Sequence, residues 1–343
     1  MSFVTIDPSD FVVSADSVTA PAWGTNNPVL TQFFIPNSIS SAPTFFVDVY
    51  ASGSSDVTPQ FSIAYGHVQG SGSVYYNPAV PGLTPSRTTY SQYRTLIYGD
   101  ENVNFNFGAG NTNSPDILVI NVNRSKYKEK LFLPTFNLHL SGSQQLKLTN
   151  NSNDSTNVNF LDCGRVYDIV SGSNGNAHSA SISGARPGYT VSGSYGLFLP
   201  DVGLIVLNPR ALALSSANGG IGLNIQTDNN VNRTNYLKLY EAISGAAEPN
   251  LNKGFQLNSE ETISSNFVFV RVKNSDYNYT TNPSMISGSG ELVYPTLINN
   301  PQTYMTTVGL YNDNNDLVAV AKLSKPLVKD FTKEALIRVK LNW

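Results

Sequence analysis

The chain of 343 residues is long enough for one large β domain or for two to three smaller domains. Only 13% of its residues are charged, whereas ordinary globular chains carry about 25%. The net charge is −3 and the pI is about 5.6. This balance excludes an overall basic field that would attract nucleic acid or an anionic membrane.

Turn formers and strand formers replace the missing charge, because the chain contains 26 Gly, 19 Pro, 18 Tyr and 17 Phe. We therefore predict a mainly β fold of antiparallel, sandwich-like domains with few short helices. The apolar run Gly203–Leu207 is far shorter than the roughly 20 residues of a membrane helix, so no membrane insertion is expected. Cys163 is alone, which rules out an intrachain disulfide and favours a reducing compartment.

Residues 1–45 are polar and punctuated by proline. Short apolar pieces such as Phe11–Val13 interrupt them. We interpret this segment as a Pro-rich N-terminal arm with an edge strand. Wrapping around a neighbouring molecule and an ordinary strand with loops both remain open for it. The first residues, Met1–Asp7, have neither a basic segment nor an apolar stretch, so we expect no signal peptide.

Residues 46–230 are expected to form the main β domain, with long Gly/Ser/Asn loops. Apolar patterning predicts strands and short helices along it. The predicted strands are 45–50, 60–67, 116–122, 135–140 and 203–207, the predicted helices are 85–98 and 209–214, and a hairpin is expected within 141–157. The Gly/Ser/Asn-rich stretch 171–196 is too long for a simple turn and predicts a binding loop or a connection.

Residues 231–343 are expected to form a C-terminal β domain, because glycine becomes scarcer and strand formers denser there. The segment Tyr236–Ile243 is ambiguous between helix and strand. From Ile263 onward the pattern predicts strands without interruption, and it ends in a hairpin around Asn312–Asp316 and a last strand at 336–341.

The chain offers little for chemistry. Its three histidines, His67, His139 and His178, are scattered, and no Gly-x-Ser-x-Gly elbow occurs. Neither zinc-ligand spacing nor a phosphate-binding glycine loop is present. Cys163 lies among apolar residues, which is typical of a buried structural thiol. We therefore predict no catalytic residue, no metal site and no cofactor, and a protein that is not an enzyme.

One basic cluster lies between two predicted strands. It is formed by Arg124, Lys126, Lys128 and Lys130, with Glu129 among them. The simpler interpretation is a solvated loop. The functional interpretation is a charged contact with an acidic surface of another protein, and on it these four residues are candidate interaction residues. Nucleic acid binding is disfavoured, because the patch is isolated and contains a single aromatic residue.

The C-terminal hairpin has the pattern Gly309-Leu310-Tyr311-Asn312-Asp313 followed by Leu317–Lys322. This pattern resembles structural proteins of contractile-tailed, cyanophage-like bacteriophages, in particular tail-fibre attachment domains and baseplate components. The resemblance extends over about 264–343, and short stretches at 90–94 and 124–131 share it. The long repeats of a complete tail fibre are missing from this chain, which favours a compact connector or baseplate part.

The resemblance implies a non-enzymatic virion structural protein, assembled in the bacterial cytoplasm into a symmetric multimer. Its expected partners are other virion proteins and further copies of the chain, with no nucleic acid and no membrane insertion. In the hairpin we take Leu310, Tyr311, Lys322 and Lys325 as candidate contact residues.

Two alternatives remain open. The first is a carbohydrate-binding or depolymerising β protein, because Tyr75, Tyr76 and the loop 172–196 supply aromatic and amide groups of the kind that bind sugars. The second keeps the virion but places the chain in the capsid or neck.

Overall fold

The computed structural model describes residues 4–36, 46–70, 85–108, 110, 113–179, 186–225, 235–278, 280 and 282–342. It is 41% strand and 17% helix, with antiparallel sheets, which confirms the predicted fold class. The chain divides into two compact units. Unit 1 comprises Met1–Ser17 and Thr262–Trp343, and unit 2 comprises Val18–Glu261. This division differs from the predicted boundary near residue 230, and the first residues of the chain belong with the last ones.

The described residues form nineteen strands and four helices. The strands are β1 Phe11–Pro21, β2 Val29–Leu30, β3 Phe33–Phe34, β4 Phe46–Ala51, β5 Phe61–His67, β6 Asp116–Val122, β7 Lys130–Leu131, β8 Asn137–Leu140, β9 Leu146–Asn150, β10 Asn159–Leu161, β11 Gly164–Ser173, β12 Asn176–Ala177, β13 Gly196–Leu199, β14 Leu204–Leu207, β15 Phe255–Gln256, β16 Asn258–Val272, β17 Thr303–Tyr311, β18 Leu317–Lys329 and β19 Ala335–Asn342. The helices are α1 Ser86–Tyr98, α2 Pro209–Ala213, α3 Asn235–Ala246 and α4 Pro295–Asn299.

Unit 2 is built on one long antiparallel sheet. Its strand order is β2-β15-β8-β9-β11-β13-β14-β6-β5-β4-β3, with β10 and β12 paired to β11. The first and last strands of this order, β2 and β3, are separated by only Thr31 and Gln32 along the chain. The chain therefore links the two ends of the sheet, and the sheet is nearly barrel-shaped.

The two faces of the sheet are covered by different apolar clusters. In β6, Leu118 and Ile120 belong to one cluster and Ile117 and Val119 to the other, because successive side chains of a strand point to opposite faces. The first cluster includes residues of α3, and the second includes Tyr90 and Ile97 of α1. Burial on both faces explains why β6 is almost continuously apolar.

The tryptophan and the fully buried phenylalanines of the first cluster of unit 2 contact one another. They are Trp23, Phe61, Phe136, Phe198 and Phe255, all at most 2% exposed. Phe136 stacks on Phe198 with ring centroids 4.5 Å apart, and the rings of Trp23 and Phe255 are 4.8 Å apart. The indole nitrogen of Trp23 donates a hydrogen bond to the Phe255 carbonyl oxygen at 2.8 Å. This hydrogen bond satisfies the one polar group of the indole inside the apolar cluster.

The two longer helices follow from periodicity and end signals. The predicted helix 85–98 is confirmed as α1, which ends where Gly99 adopts φ 66° and donates its N–H to the Thr95 carbonyl oxygen. The ambiguous segment 236–243 is helical, as part of α3. Its buried residues recur with helical spacing, and four of them pack in the apolar cluster of the sheet: Tyr236, Leu239, Ala242 and Ile243.

Unit 1 contains two sheets. In the first, the strand order is β1-β16-β19, and β16 pairs with β19 from Ser265↔Asn342 to Val272↔Ala335. The second is the hairpin β17-β18. Side chains of both sheets meet in one cluster, which is the sandwich-like arrangement predicted from the sequence. Its members are Val268, Val270, Met305, Val308, Leu310, Ala321, Leu323, Ile337, Val339 and Leu341.

Other predictions were met in part. The strands predicted near 45, 60, 116 and 204 are confirmed as β4, β5, β6 and β14. The expectation of uninterrupted strands after Ile263 was wrong, since the described residues between 273 and 302 contain α4 and no strand. In the loop 171–196, β11 and β12 form a tight hairpin around Asn174 and Gly175. Residues 180–185 of this loop lie outside the described residues, as do residues 37–45 of the N-terminal arm.

Candidate assembly surface

A buried pair of ionisable side chains in unit 2 lies where β5 ends beside the start of β6. His67 and Asp116 are cross-strand partners, exposed by 5% and 2%. The Tyr65 hydroxyl donates to Asp116 Oδ2 at 3.3 Å, and the Ser114 hydroxyl donates to the Asp116 carbonyl oxygen at 2.9 Å. His67 Nδ1 accepts the N–H of Gln69 at 3.1 Å, which places the ring proton of a neutral imidazole on Nε2.

Burial is the main influence on both ionisable groups of this pair. It lowers the pKa of His67 and raises the pKa of Asp116, while each group partly offsets the effect on the other through its charge. The hydrogen bond from Gln69 also favours the neutral imidazole, because a protonated Nδ1 could not accept it. The contacts recorded for this group join neighbouring strands and turns, so it functions as a polar brace within unit 2.

The brace predicts a pH dependence of stability. Because the pKa of His67 is lower in the folded chain than in the unfolded chain, the unfolded state takes up the proton first as the pH falls below about 6.5. Its contribution to the free energy of unfolding is therefore present near neutral pH and is lost on acidification, by at most about 1.4 kcal/mol per pH unit. The raised pKa of Asp116 acts in the opposite direction. Its contribution to the free energy of unfolding declines as the pH rises above about 3.8.

Urea denaturation at pH 7.5 and 5.5 measures this dependence. The loss of stability between the two values is expected to be smaller in His67→Gln than in the wild type. His178→Gln is the matched control, because His178 is exposed. An unchanged loss in His67→Gln would show that His67 makes no such contribution.

A second polar cluster surrounds Asp168 on β11. The Tyr189 hydroxyl donates to Asp168 Oδ2 at 2.9 Å, and the Asn151 amide donates to the Tyr189 hydroxyl oxygen at 3.2 Å. The Arg186 guanidinium lies 4.0 Å from the centroid of the Tyr189 ring. Burial, with Asp168 as a further cause, raises the pKa of Tyr189 to about 12. This cluster ties the segment around 186–190 to β11.

The amide groups near this loop contact one another. The Asn137 amide nitrogen donates to Asn174 Oδ1 at 2.7 Å and to Gln256 Oε1 at 3.0 Å. The Gly175 N–H donates to the Thr149 hydroxyl oxygen at 2.8 Å. These amides brace the β11–β12 turn against β8 and β9, so they are already engaged within the protein. The other suggested sugar-contacting residues, Tyr75 and Tyr76, lie outside the described residues.

The remaining candidates for chemistry are the lone thiol of Cys163 and possible groups of metal-ligating side chains. Cys163 is half-buried beside α1, with Sγ 4.0 Å from the Ile97 carbonyl oxygen, and burial raises the pKa of the thiol. Within the part of the chain that the structure describes, no group of three or more His, Cys, Asp or Glu side chains is placed to hold a metal ion.

The basic cluster forms the connection between β6 and β7, where a loop was expected. Lys126 is buried and forms an ion pair with Asp56, which lowers the pKa of that carboxyl. Lys128 and Lys130 approach Glu261 and Glu260, at 3.3 and 3.9 Å. The lysines of this loop therefore pair with acidic side chains of unit 2.

The fourth cation of the cluster also makes an internal contact. The Arg124 guanidinium lies over the ring of Tyr127 and donates to its carbonyl oxygen at 2.5 Å. Internal partners for all four cations support the interpretation as a structural loop and weaken the predicted contact with an acidic partner.

The candidate residues of the hairpin are divided between its two faces. Leu310 is half-buried in the apolar cluster of unit 1, whereas Tyr311, Lys322 and Lys325 are exposed. The turn is a plain hairpin turn, in which Asn312 Oδ1 accepts the N–H groups of Asn314 and Asp316. The structure thus brings Tyr311, Lys322 and Lys325 to the surface of one module and assigns Leu310 to its core.

Apolar exposure, which sequence patterning did not reveal, distinguishes unit 1. Among its described residues, only four hydrophobic side chains are buried, namely Val268, Val272, Ile337 and Val339, at 3–7% exposure. Several large apolar side chains are instead 53–61% exposed: Val13, Tyr304, Leu317, Val318, Val320, Phe331 and Leu336. A high density of large exposed apolar side chains is typical of interaction surfaces.

Unit 1 also contains two buried charged groups. Lys329 is 1% exposed, and its ammonium donates to the carbonyl oxygens of Asn274 and Asp330 and to Asn278 Oδ1, at 2.9–3.0 Å. Asp10 accepts from the Arg271 guanidinium at 2.8 Å, which joins the N-terminal segment to β16. Charged contacts of this kind supplement the small apolar core of unit 1.

Comparison with known proteins supplies no relative, since no family model, no curated protein and no solved structure matches the chain. Among the described helices, none has the length and apolarity needed to cross a membrane.

Proposed function

We propose that this chain is a non-enzymatic structural subunit of a multimeric assembly, in which unit 2 is the rigid body and unit 1 supplies contacts to neighbouring subunits. The assembly that the sequence resemblance favours is the virion of a tailed bacteriophage, at the tail or baseplate. Its partners are further copies of the chain and other virion structural proteins, and its place is the particle assembled in the host cytoplasm.

The observation that carries the proposal is the small core of unit 1 beside its large apolar exposure. Val318 and Val320 lie on β18 with 61% and 59% of their surface exposed, while the opposite face of the hairpin packs on β16 and β19. Burying such side chains contributes roughly 25 cal/mol per Å² of apolar surface removed from water. Subunit contacts would therefore stabilise unit 1 in a way that its own core does not.

The internal polar contacts support the same function. The His67–Asp116 and Asp168–Tyr189 groups brace strands, and the amides around Asn174 bond to one another. These groups give unit 2 a well-defined structure, as a subunit that must fit its neighbours requires. They do not present a set of free polar groups to a sugar, which disfavours the carbohydrate-binding alternative.

Two measurements test the proposal. Light scattering on the purified full-length chain should give a mass of at least twice 37.1 kDa. Gold-labelled antibody raised against the chain should decorate the tail or baseplate of purified phage particles. Decoration of the capsid or neck would keep the virion assignment and change the position. Absence of the chain from the particle would overturn the proposal.

A further inference from the structure

We infer that the free edge of β17 is a strand-pairing site for a second copy of this chain, so that two hairpins join antiparallel into a four-stranded sheet. The inference rests on the proposed function, because it names the contact through which unit 1 would associate. It concerns the edge of the hairpin, which is distinct from the exposed apolar face of β18.

The hairpin has two open edges. β17 and β18 pair only with each other among the described residues, from Thr303↔Lys329 to Tyr311↔Leu317, with register shifts between Met305 and Thr307 and between Leu310 and Tyr311. Among the described residues, β17 from Thr303 to Leu310 and β18 therefore present, on their outer sides, rows of backbone N–H and C=O groups to which no further strand is paired. Such rows are templates for pairing with another chain.

Of the two hairpin strands, only β17 lacks the charged residues and proline that protect strand edges. Charged side chains and proline are the usual safeguards against pairing of edge strands. β18 carries Lys322, Lys325 and Pro326, and these residues stand on the strand itself. β17, with the sequence Thr-Tyr-Met-Thr-Thr-Val-Gly-Leu-Tyr, has no charged residue and no proline in its nine positions.

The other edges of unit 1 are protected in the same way as β18. Within unit 1, β1 contains Asp16, and β19 contains Arg338 and Lys340. Among the described strands at the edges of unit 1, β17 therefore stands out as the one open to pairing. Its β-branched and aromatic residues also favour an extended strand.

The charge pattern selects a second copy in the antiparallel orientation. Because β17 is uncharged, placing it beside itself brings no like charges together along the strand. A parallel arrangement would set two acidic turns next to each other, each with Asp313 and Asp316. The antiparallel arrangement separates these turns and places each beside the start of the partner's β17, where Thr303 pairs with Lys329 of β18. It also has the two-fold symmetry that is most common among homo-oligomers.

Cysteine scanning tests the geometry. In the Cys163→Ser background, single cysteines are placed at positions 305 to 309 of β17 in the full chain. Residues that face each other across an antiparallel pair have Cα atoms about 4.5–5.5 Å apart, which suits a disulfide. We expect oxidation to give covalent dimers, with a maximum at the position nearest the two-fold axis. Ser324→Cys on β18 is the matched control and should stay monomeric on denaturing gels.

A charge variant tests the energetics. Thr306→Glu places a like charge on each copy at the joined edge, while the lysines of β18 lie nearby in the same hairpin. We expect its dimer dissociation constant to rise about tenfold or more, measured by analytical ultracentrifugation. Ser324→Glu makes the same change on the protected strand and should leave the constant unchanged. Circular dichroism melts confirm that both variants are folded.

The outcomes separate this inference from the proposed function. If the wild type associates but Thr306→Glu associates equally well, or if Ser324→Cys cross-links in preference to β17, the strand-pairing site is refuted while a structural role stands. A monomeric wild type that labels in the particle also refutes the site and leaves the role intact. Absence from the particle refutes the proposed function, whatever the association in solution.

Discussion

Replacing Phe255 with alanine is expected to destabilise unit 2 by about 3–5 kcal/mol. The side chain is fully buried, and its ring lies 4.8 Å from Trp23, 5.3 Å from Phe61 and 6.2 Å from Phe136, measured between centroids. Truncation removes these aromatic contacts and leaves a cavity that the rigid strands cannot fill. Large-to-small changes of this kind are among the most costly in a protein core.

The position of Phe255 in the sheet adds to the expected effect. Its strand, β15, has only two residues, and Phe255 pairs with Leu30 of β2 and with Leu138 of β8. β15 therefore connects β2, the first strand in the sheet order, to β8 and the rest of the sheet. Loss of the ring at this position should weaken the pairing of β15 with β2 and β8 as well as the packing of the apolar cluster.

Urea denaturation monitored by tryptophan fluorescence measures the effect, because Trp23 is in contact with the mutated side chain. Leu251→Ala is the control, since Leu251 is 60% exposed, and it should change the free energy of unfolding by less than about 0.5 kcal/mol. A loss below about 1 kcal/mol in Phe255→Ala would contradict the central role of this ring.

Deleting residues 300–343 is expected to abolish incorporation of the chain into the particle while unit 2 remains folded. Both apolar clusters of unit 2 consist of residues between Ala22 and Leu257, so the deletion removes none of their members. It does remove β17, β18 and β19, and with them most of the cluster of unit 1. The measurement is complementation of a phage that lacks the gene, with the particles analysed by immunoblot.

The deletion also exposes side chains of β16 that pack against the deleted strands. A variant with two substitutions controls for this effect. Val318→Asp combined with Val320→Asp keeps the hairpin and its inner face, because both valines point away from the apolar cluster. It adds charge only to the outer face, so the unfolding midpoint should change little, whereas incorporation should fall strongly. Normal incorporation of the truncated chain would contradict the assembly role of unit 1.

Periodicity and turn chemistry predicted many of the local elements. The helix at 85–98 was predicted from helical spacing, and the strand at 116–122 from a continuous apolar run. These features are local, since they depend on residues within one or two turns of each other. Prediction failed at 236–243, because Tyr236-Leu237-Lys238-Leu239 satisfies the strand period and the helix period equally well. Packing of α3 against the sheet selects the helix there.

The candidate site was predicted less completely. The hairpin around Asn312–Asp316 was placed correctly, because its turn residues are diagnostic. The basic cluster looked like a charged patch, yet Lys126 reaches Asp56, a partner 70 positions away. Likewise, nothing near Val320 in the sequence distinguishes it from Leu323, although one is exposed and the other packs in the cluster. Such differences depend on which strands face each other.

By itself, the sequence of this protein determined its class and most of its elements. Low charge, abundant Gly, Pro and aromatic residues, and short apolar runs require a mainly β chain, because composition and local period act on each residue and its near neighbours. Only the tertiary structure decided which strands close unit 2 into a near-barrel, which end of the chain belongs with which unit, and which apolar side chains stay outside. These outcomes depend on contacts between distant segments, such as Asp10 with Arg271 and Trp23 with Phe255, and no local pattern encodes such pairings.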